Sequence, residues 1–185
     1  MRLYLIRHGE TEWALNGRHT SFTDLPLTEN GIKQAASLKP RLEKLSFALV
    51  LTSPRRRAQE TADLAGVGSH AEISPDLREF DYGLYEGLTK PEILAKNPGW
   101  NIFKDGCPGG ESPAQVVARV QNLITRVRAV NGDVLVFSHG HLSRILATTW
   151  LGQSIEFATQ LKLDTATLSI LTWENSLASL QTWNS

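Results

Sequence analysis

At 185 residues, 41% hydrophobic and 21% charged, the chain has ordinary globular proportions and can bury a core in a single domain, residues 1–185. Its 19 Lys and Arg balance its 19 Asp and Glu, so no global charge draws it to nucleic acid or to an anionic membrane, and anion selection is left to a local basic pocket. The lone Cys107 cannot form an internal disulfide, and the N-terminal apolar run is too short for a signal peptide or membrane span, so a cytoplasmic protein is expected.

Leu3 to Ile6 reads as a buried strand that ends in Arg-His-Gly. A long helical stretch follows from about Thr28, with Ile32, Ala35, Ala36, Leu42 and Leu45 near helical spacing and Pro40 expected to kink or divide it. Phe47 to Leu51 is a second strand, after which Ser53-Pro54 has the form of an N-cap with proline at the first helical position. Residues 66 to 111 are less regular and read as loops plus a short helix. Ser112-Pro113-Ala114-Gln115 has the form of a capping box, opening a helix with Val116, Val117, Val120, Leu123, Ile124 and Val127 on one face. Asp133 to Phe137 is a third strand ending in Ser-His-Gly, and a helix runs on through Leu146 to Leu151. Ala166 to Trp173 and Leu177 to Trp183 read as two further strands around a Glu-Asn-Ser turn. The alternation predicts an α/β fold of three layers, a mainly parallel sheet with helices on both faces.

Two segments share one construction: an apolar strand runs directly into His8-Gly9 and another into His139-Gly140. Sites in parallel sheets form at the carboxyl ends of strands, and adjacent strands lie about 4.8 Å apart, so both imidazoles can face one bound group. A single histidine at a strand exit is commonly an inert, hydrogen-bonded residue; two in the same context argue for a shared site. Arg55, Arg56 and Arg57 in the first turn of a helix oppose the helix dipole unless an anion sits there. At 100° per residue only one or two of them can face that anion. Glu79 and Asp81 lie among aromatics, where an acid can serve as proton donor, although pairing with surface bases is the commoner fate of a loop acid. His139-Gly140-His141 also permits a metal reading with Glu79, since His-x-His on a strand puts two imidazoles on one side, but neighbouring arginines would repel a cation.

Together these segments resemble the histidine phosphatase superfamily in its phosphoglycerate-mutase-like branch. The resemblance rests on Arg7-His8-Gly9-Glu10-Thr11-Glu12-Trp13, on Asp24-Leu25-Pro26-Leu27-Thr28 with Gly31 and Gln34, and on Thr52-Ser53 through Arg57-Ala58 and Thr61. It continues in Leu77-Arg78-Glu79 with Tyr82-Gly83 and Glu86-Gly87, and ends in Ser138-His139-Gly140. It implies that His8 is a nucleophile forming a phosphohistidine, that Arg7, Arg57 and His139 hold the phosphoryl oxygens, and that Glu79 is the proton donor. It also implies weaker substrate contacts from Thr20, Ser21, Lys90 and Gly140, and requires no metal or nucleotide. Arg55, Arg56 and His141 receive no role from it, and Cys107 reads as incidental.

The branch holds hydrolases and mutases. This chain is compact, has Ala14 after Trp13 where mutases have asparagine, and lacks the mutases' Arg-Arg pair in the stretch Pro98 to Gly106, all of which favour hydrolysis. Within the phosphatases the runs Trp13 to Thr28 and Trp100 to Cys107, with Arg144 after His139-Gly140-His141, look most like sugar bisphosphatases. The expected activity is hydrolysis of small phosphomonoesters, sugar phosphates or bisphosphates, with a mutase as the main alternative and a phosphoprotein phosphatase or an inactive binding module behind it.

Overall fold

The computed structural model describes residues 1–185. In chain order its elements are β1 (Arg2–Arg7), α1 (Glu12–Leu15), α2 (Glu29–Ser37), α3 (Lys39–Leu42), β2 (Leu49–Thr52), α4 (Arg56–Leu64) and β3 (Ala71–Ile73). There follow α5 (Lys90–Lys96), α6 (Ile102–Asp105), α7 (Pro113–Arg128), β4 (Val134–Ser138), α8 (Gly140–Trp150), β5 (Leu168–Glu174) and β6 (Leu177–Thr182). Successive side chains of a strand point to opposite faces, and in β1 both sets are apolar and buried, so the sheet must be covered on both sides. Leu3, Leu5, Val134 and Val136 join one core with Val116, Val120 and Leu123 of α7 and Ile145, Leu146 and Trp150 of α8. Tyr4, Ile6, Leu135 and Phe137 join the other with Leu38, Leu42 and Ala58, Ala62 of α4.

The sheet order is β3-β2-β4-β1-β5-β6. The pairs β1–β4, β4–β2 and β2–β3 are parallel, while β5 runs antiparallel to β1 and β6 to β5. This is the α/β architecture the sequence pattern predicts, with a two-stranded antiparallel flank. Register brings the chemistry together: Arg7 lies opposite Ser138 across β1–β4, and Thr52 opposite Phe137 across β2–β4. His8, Ser53 and His139 therefore leave three adjacent strands at the same end, with His8 N donating to Ser138 O at 3.0 Å and Ser53 N to Phe137 O at 3.0 Å.

Several sequence expectations need correction. The stretch from Thr28 is split into α2 and α3, with Pro40 inside the first turn of the second, but its buried face is Gly31, Ala35, Leu38 and Leu42. Ile32 and Leu45 are 45% and 36% exposed: hydrophobicity alone had drawn the face about a quarter-turn off. Ser53 does not cap a helix. Its hydroxyl accepts from His139 Nε2 at 2.7 Å and from Arg55 N at 3.3 Å, as a capping serine would, but α4 starts later, with Arg55 at the cap position and no side-chain cap bond of its own. Strand β3, within the irregular stretch 66 to 111, escaped notice because it has three residues, two of them exposed, and carries no alternation. The capping box at Ser112 and Gln115 is present and contributes about 1 kcal/mol.

The turn after β1 is fixed by close backbone approach. A Cβ at Gly31 would lie 2.1 Å from Glu10 O, and one at Gly9 would lie 2.7 Å from Gly31 O. Only glycines let the N-terminus of α2 press against the segment that follows His8. Thr61 on α4 closes the other side by accepting from Gly9 N at 2.9 Å. No helix is long and apolar enough to cross a membrane.

Candidate active site

His8 lies at the end of β1, only 6% exposed. Its Nδ1 is 2.7 Å from Gly9 O, and because a carbonyl can only accept, the neutral ring carries its proton on Nδ1 and keeps the Nε2 lone pair. Burial holds its pKa well below 6.5, and the guanidiniums of Arg57 and Arg7 push in the same direction. The result is a neutral imidazole fixed in the tautomer a nucleophile needs.

His139 sits edge-on to His8, ring centroids 5.2 Å apart. Arg57 Nε donates to its Nδ1 at 3.3 Å, so the remaining proton is on Nε2, 2.7 Å from Ser53 Oγ. Burial above all, then Arg57, keeps this ring neutral too. Arg57 is wholly buried and donates to the carbonyls of Thr23, Thr20 and Ser21 at 3.0, 3.1 and 3.3 Å. That loop is held by Glu86, whose carboxylate accepts from Ser21 N and Thr23 N. Arg56 instead pairs with Glu60, and the Arg55 guanidinium lies over the Phe22 ring, so one arginine of the three turns inward.

Arg7 donates through Nη1 to Leu163 O at 2.6 Å, while its buried Nε–H has no partner. Gly140 packs beside it, a Cβ there meeting Arg7 Nε at 3.4 Å, an ordinary contact. Glu79, 4% exposed, accepts three backbone bonds: Oε1 from Phe80 N and Leu142 N, Oε2 from His141 N. Two of these donors are first-turn amides of α8, a helix terminus that favours a carboxylate. Oε1 has used both lone pairs, whereas Oε2 keeps one position for a proton. The Glu79 segment is itself pinned by the buried Arg119–Glu111 pair, 2.8 Å apart, with Arg119 Nη1 also reaching Asp76 O and Arg78 O.

These groups border a cavity of about 350 Å³, lined among others by Arg7, His8, Thr20, Glu79, Gly140, His141 and Arg144. Neither Arg57 nor His139 lines it. Ser21 is buried and does not line this cavity; its carbonyl accepts from Arg57 Nη2 at 3.3 Å. Lys90 lines an adjoining cavity of about 260 Å³ with Trp100, Phe103, Thr159, His19, His141 and Arg144. The His-x-His premise fails as well: His139 is the N-cap residue of α8 and faces Arg57, while His141 lies in the helix with Nδ1 2.6 Å from the Tyr82 hydroxyl. No group of three metal-ligating side chains is assembled. His19 and Tyr82 were missed as site residues; each lies in a loop, with no periodic pattern to point inward. Cys107 is buried with its thiol pushed up to about 12, which leaves it unreactive.

A neutral imidazole among guanidiniums, with a carboxyl group on the same cavity, is an arrangement suited to phosphoryl transfer. The chain belongs to the histidine phosphatase superfamily (branch 1), whose family model matches residues 3–185. It is 40% identical over 183 residues to an acid phosphatase of Mycobacterium tuberculosis (strain ATCC 25618 / H37Rv), covering 97% of this chain and 90% of that protein. It is 35% identical over 187 residues to the sedoheptulose 1,7-bisphosphatase of Saccharomyces cerevisiae (strain ATCC 204508 / S288c), covering 84% of this chain and 69% of the relative. The solved structure of the open reading frame Rv3214 from Mycobacterium tuberculosis superposes with a TM-score of 0.94 at 38% identity, covering 99% of this chain and 96% of that one. The chain is a phosphatase by class, as the sequence resemblance implied.

Proposed function

We propose that the protein hydrolyses small phosphomonoesters, sugar phosphates among them, through a phosphohistidine on His8 and without a metal ion. The observation that carries this reading is the His8 ring itself: buried, neutral, with Nδ1–H committed to Gly9 O and Nε2 free. Nε2 attacks phosphorus, an Nε2–P bond forms, and the ester P–O bond breaks. Protonated Glu79 gives its proton to the leaving oxygen. Water then attacks phosphorus, losing its proton to the Glu79 carboxylate; the N–P bond breaks to release phosphate and restore neutral His8.

Arg7 stabilises the charge that spreads over the equatorial phosphoryl oxygens, its unpartnered Nε–H being available to one of them, while Arg57, which does not line the cavity, adds its positive charge from beside His139. His139 exchanges its Ser53 partner for another of these oxygens. Thr20 and Gly140 border the cavity beside the substrate. The test is phosphate release in chelator from phenyl phosphate, 3-phosphoglycerate and sugar phosphates, with 2-phosphoglycerate assayed in the same tubes. Phosphate release unaffected by chelator is expected; 2-phosphoglycerate formation with little free phosphate would make the enzyme a mutase, and silence throughout would sink the hydrolytic reading.

A further inference from the structure

We propose that Arg119 and Glu111 are positioning residues for Glu79: the buried pair holds the loop around the proton donor so that its free Oε2 position meets the leaving oxygen. The inference rests on the hydrolytic reading above and concerns what aims its acid.

Residues 78–82 carry the donor yet belong to no helix or strand; they bridge two single 3-10 turns, 75–77 and 83–85. Their backbone polar groups must therefore find partners outside a ladder. Arg119 and Glu111 supply several of them. Arg119 Nη1 donates to Asp76 O and Arg78 O, both at 2.8 Å, and Nη2 reaches Glu79 O at 3.5 Å. Glu111 Oε2 accepts from Asp81 N at 2.9 Å, and Glu111 N donates to Asp81 O at 3.0 Å. The chain on both sides of Glu79 is thus tied to two residues, and those two to each other. Arg119 Nε donates to Glu111 Oε1 at 3.0 Å and Nη2 to Oε2 at 2.8 Å, a two-pronged fork.

Arg119 stands on the inner face of α7, buried in one stripe with Val116, Val120 and Leu123. A charge there does little for stability, because a buried ion pair gains little over well-packed apolar side chains of similar volume. What apolar side chains cannot supply is direction: a planar fork aimed at the carbonyls of residues 76 and 78, and a carboxylate aimed at Asp81 N. The rest of the stripe packs α7 into one core with Ile145 and Leu146 of α8. First-turn amides of α8, His141 N and Leu142 N, donate to the Glu79 carboxylate at 3.0 and 2.8 Å. Glu79 is therefore held between two helices that share a core, its main chain by α7 and its carboxylate by α8. A proton donor needs that accuracy, since a misplacement of about 1 Å can cost about a hundredfold in rate.

The experiment compares wild type, Arg119→Lys, Glu79→Gln and Arg119→Lys/Glu79→Gln in their first turnover, by stopped flow on 4-nitrophenyl phosphate and by rapid quench on glycerol 3-phosphate. Lysine keeps the charge against Glu111 but cannot span both carbonyls. Arg119→Lys should slow the alkyl ester about ten- to a hundredfold, and 4-nitrophenyl phosphate, whose leaving group needs no proton, by less than about threefold. In the Glu79→Gln background the same substitution should change the alkyl rate by no more than about twofold, because the residue it acts through is gone. Should Arg119→Lys not fold, Arg119→Met/Glu111→Leu, which removes both charges together, is held to the same two comparisons. Equal losses on both esters, no loss on either, or a full further loss in the Glu79→Gln background would overturn the positioning role and leave the hydrolytic reading intact. If wild type turns over neither ester, the hydrolytic reading fails and this inference with it.

Discussion

Replacing Glu79 by glutamine separates the two half-reactions. The glutamine carbonyl keeps the bonds from Phe80 N and Leu142 N, but its NH₂ then faces His141 N–H, where Oε2 now accepts at 3.0 Å. Losing one charge-assisted bond and leaving that amide unpaired costs about 1–3 kcal/mol. For a chain of this length that is a fall in Tm of about 2–12 °C, so the fold survives. The chemical cost is larger, about 10²- to 10⁴-fold wherever a proton must move. With 4-nitrophenyl phosphate the leaving group departs without a proton, so stopped-flow should show a first turnover close to wild type. Turnover then stalls, because water attack on the phosphoenzyme lacks its base. With an alkyl phosphate the first turnover itself should fall by the full factor. If first turnovers on both esters fall equally, Glu79 is not the proton donor and the reasoning is refuted.

Three histidines of the site set a pH dependence of stability. His8, His139 and His141 have folded pKa values well below 6.5, chiefly through burial, while in the unfolded chain each returns towards 6.5. Below about pH 6.5 the unfolded chain binds protons that the folded chain refuses, so stability falls as pH drops from 6.5 towards the folded values and gains nothing further above it. Urea midpoints should be lower at about pH 5.5 than at about pH 7.5, and equal midpoints would contradict the assignment. Ala166 occupies φ +53° while its N–H is shared by the Arg7 and His8 carbonyls. Ala166→Gly should therefore raise stability by about 0.5–1 kcal/mol, read as a higher Tm; a lower Tm would show that the alanine is not strained.

The fold was legible where the sequence repeats a physical pattern. β1 and β4 are short, apolar on both faces and end in His-Gly, so a two-sided sheet and a shared strand-end site both follow from them. What was hidden depends on tertiary partners. Ser53 reads as a helix cap until register places it beside His139, and Ile32 reads as core until Leu38 takes its place. Arg57 could be picked from its two neighbours only by resemblance; the reason lies in three carbonyls of the 20–23 loop, held in turn by Glu86. His19 gave no signal at all, because its position depends on a carbonyl 69 residues away, at Leu88.

The central claim is that His8 carries the phosphoryl group. Its most direct test is to mix the enzyme with ³²P-labelled substrate, quench in alkali within the first turnover, and map the label by peptide. The account expects alkali-stable, acid-labile phosphate on the peptide bearing His8, and none in His8→Ala. Label on another residue, or turnover retained by His8→Ala, would contradict it.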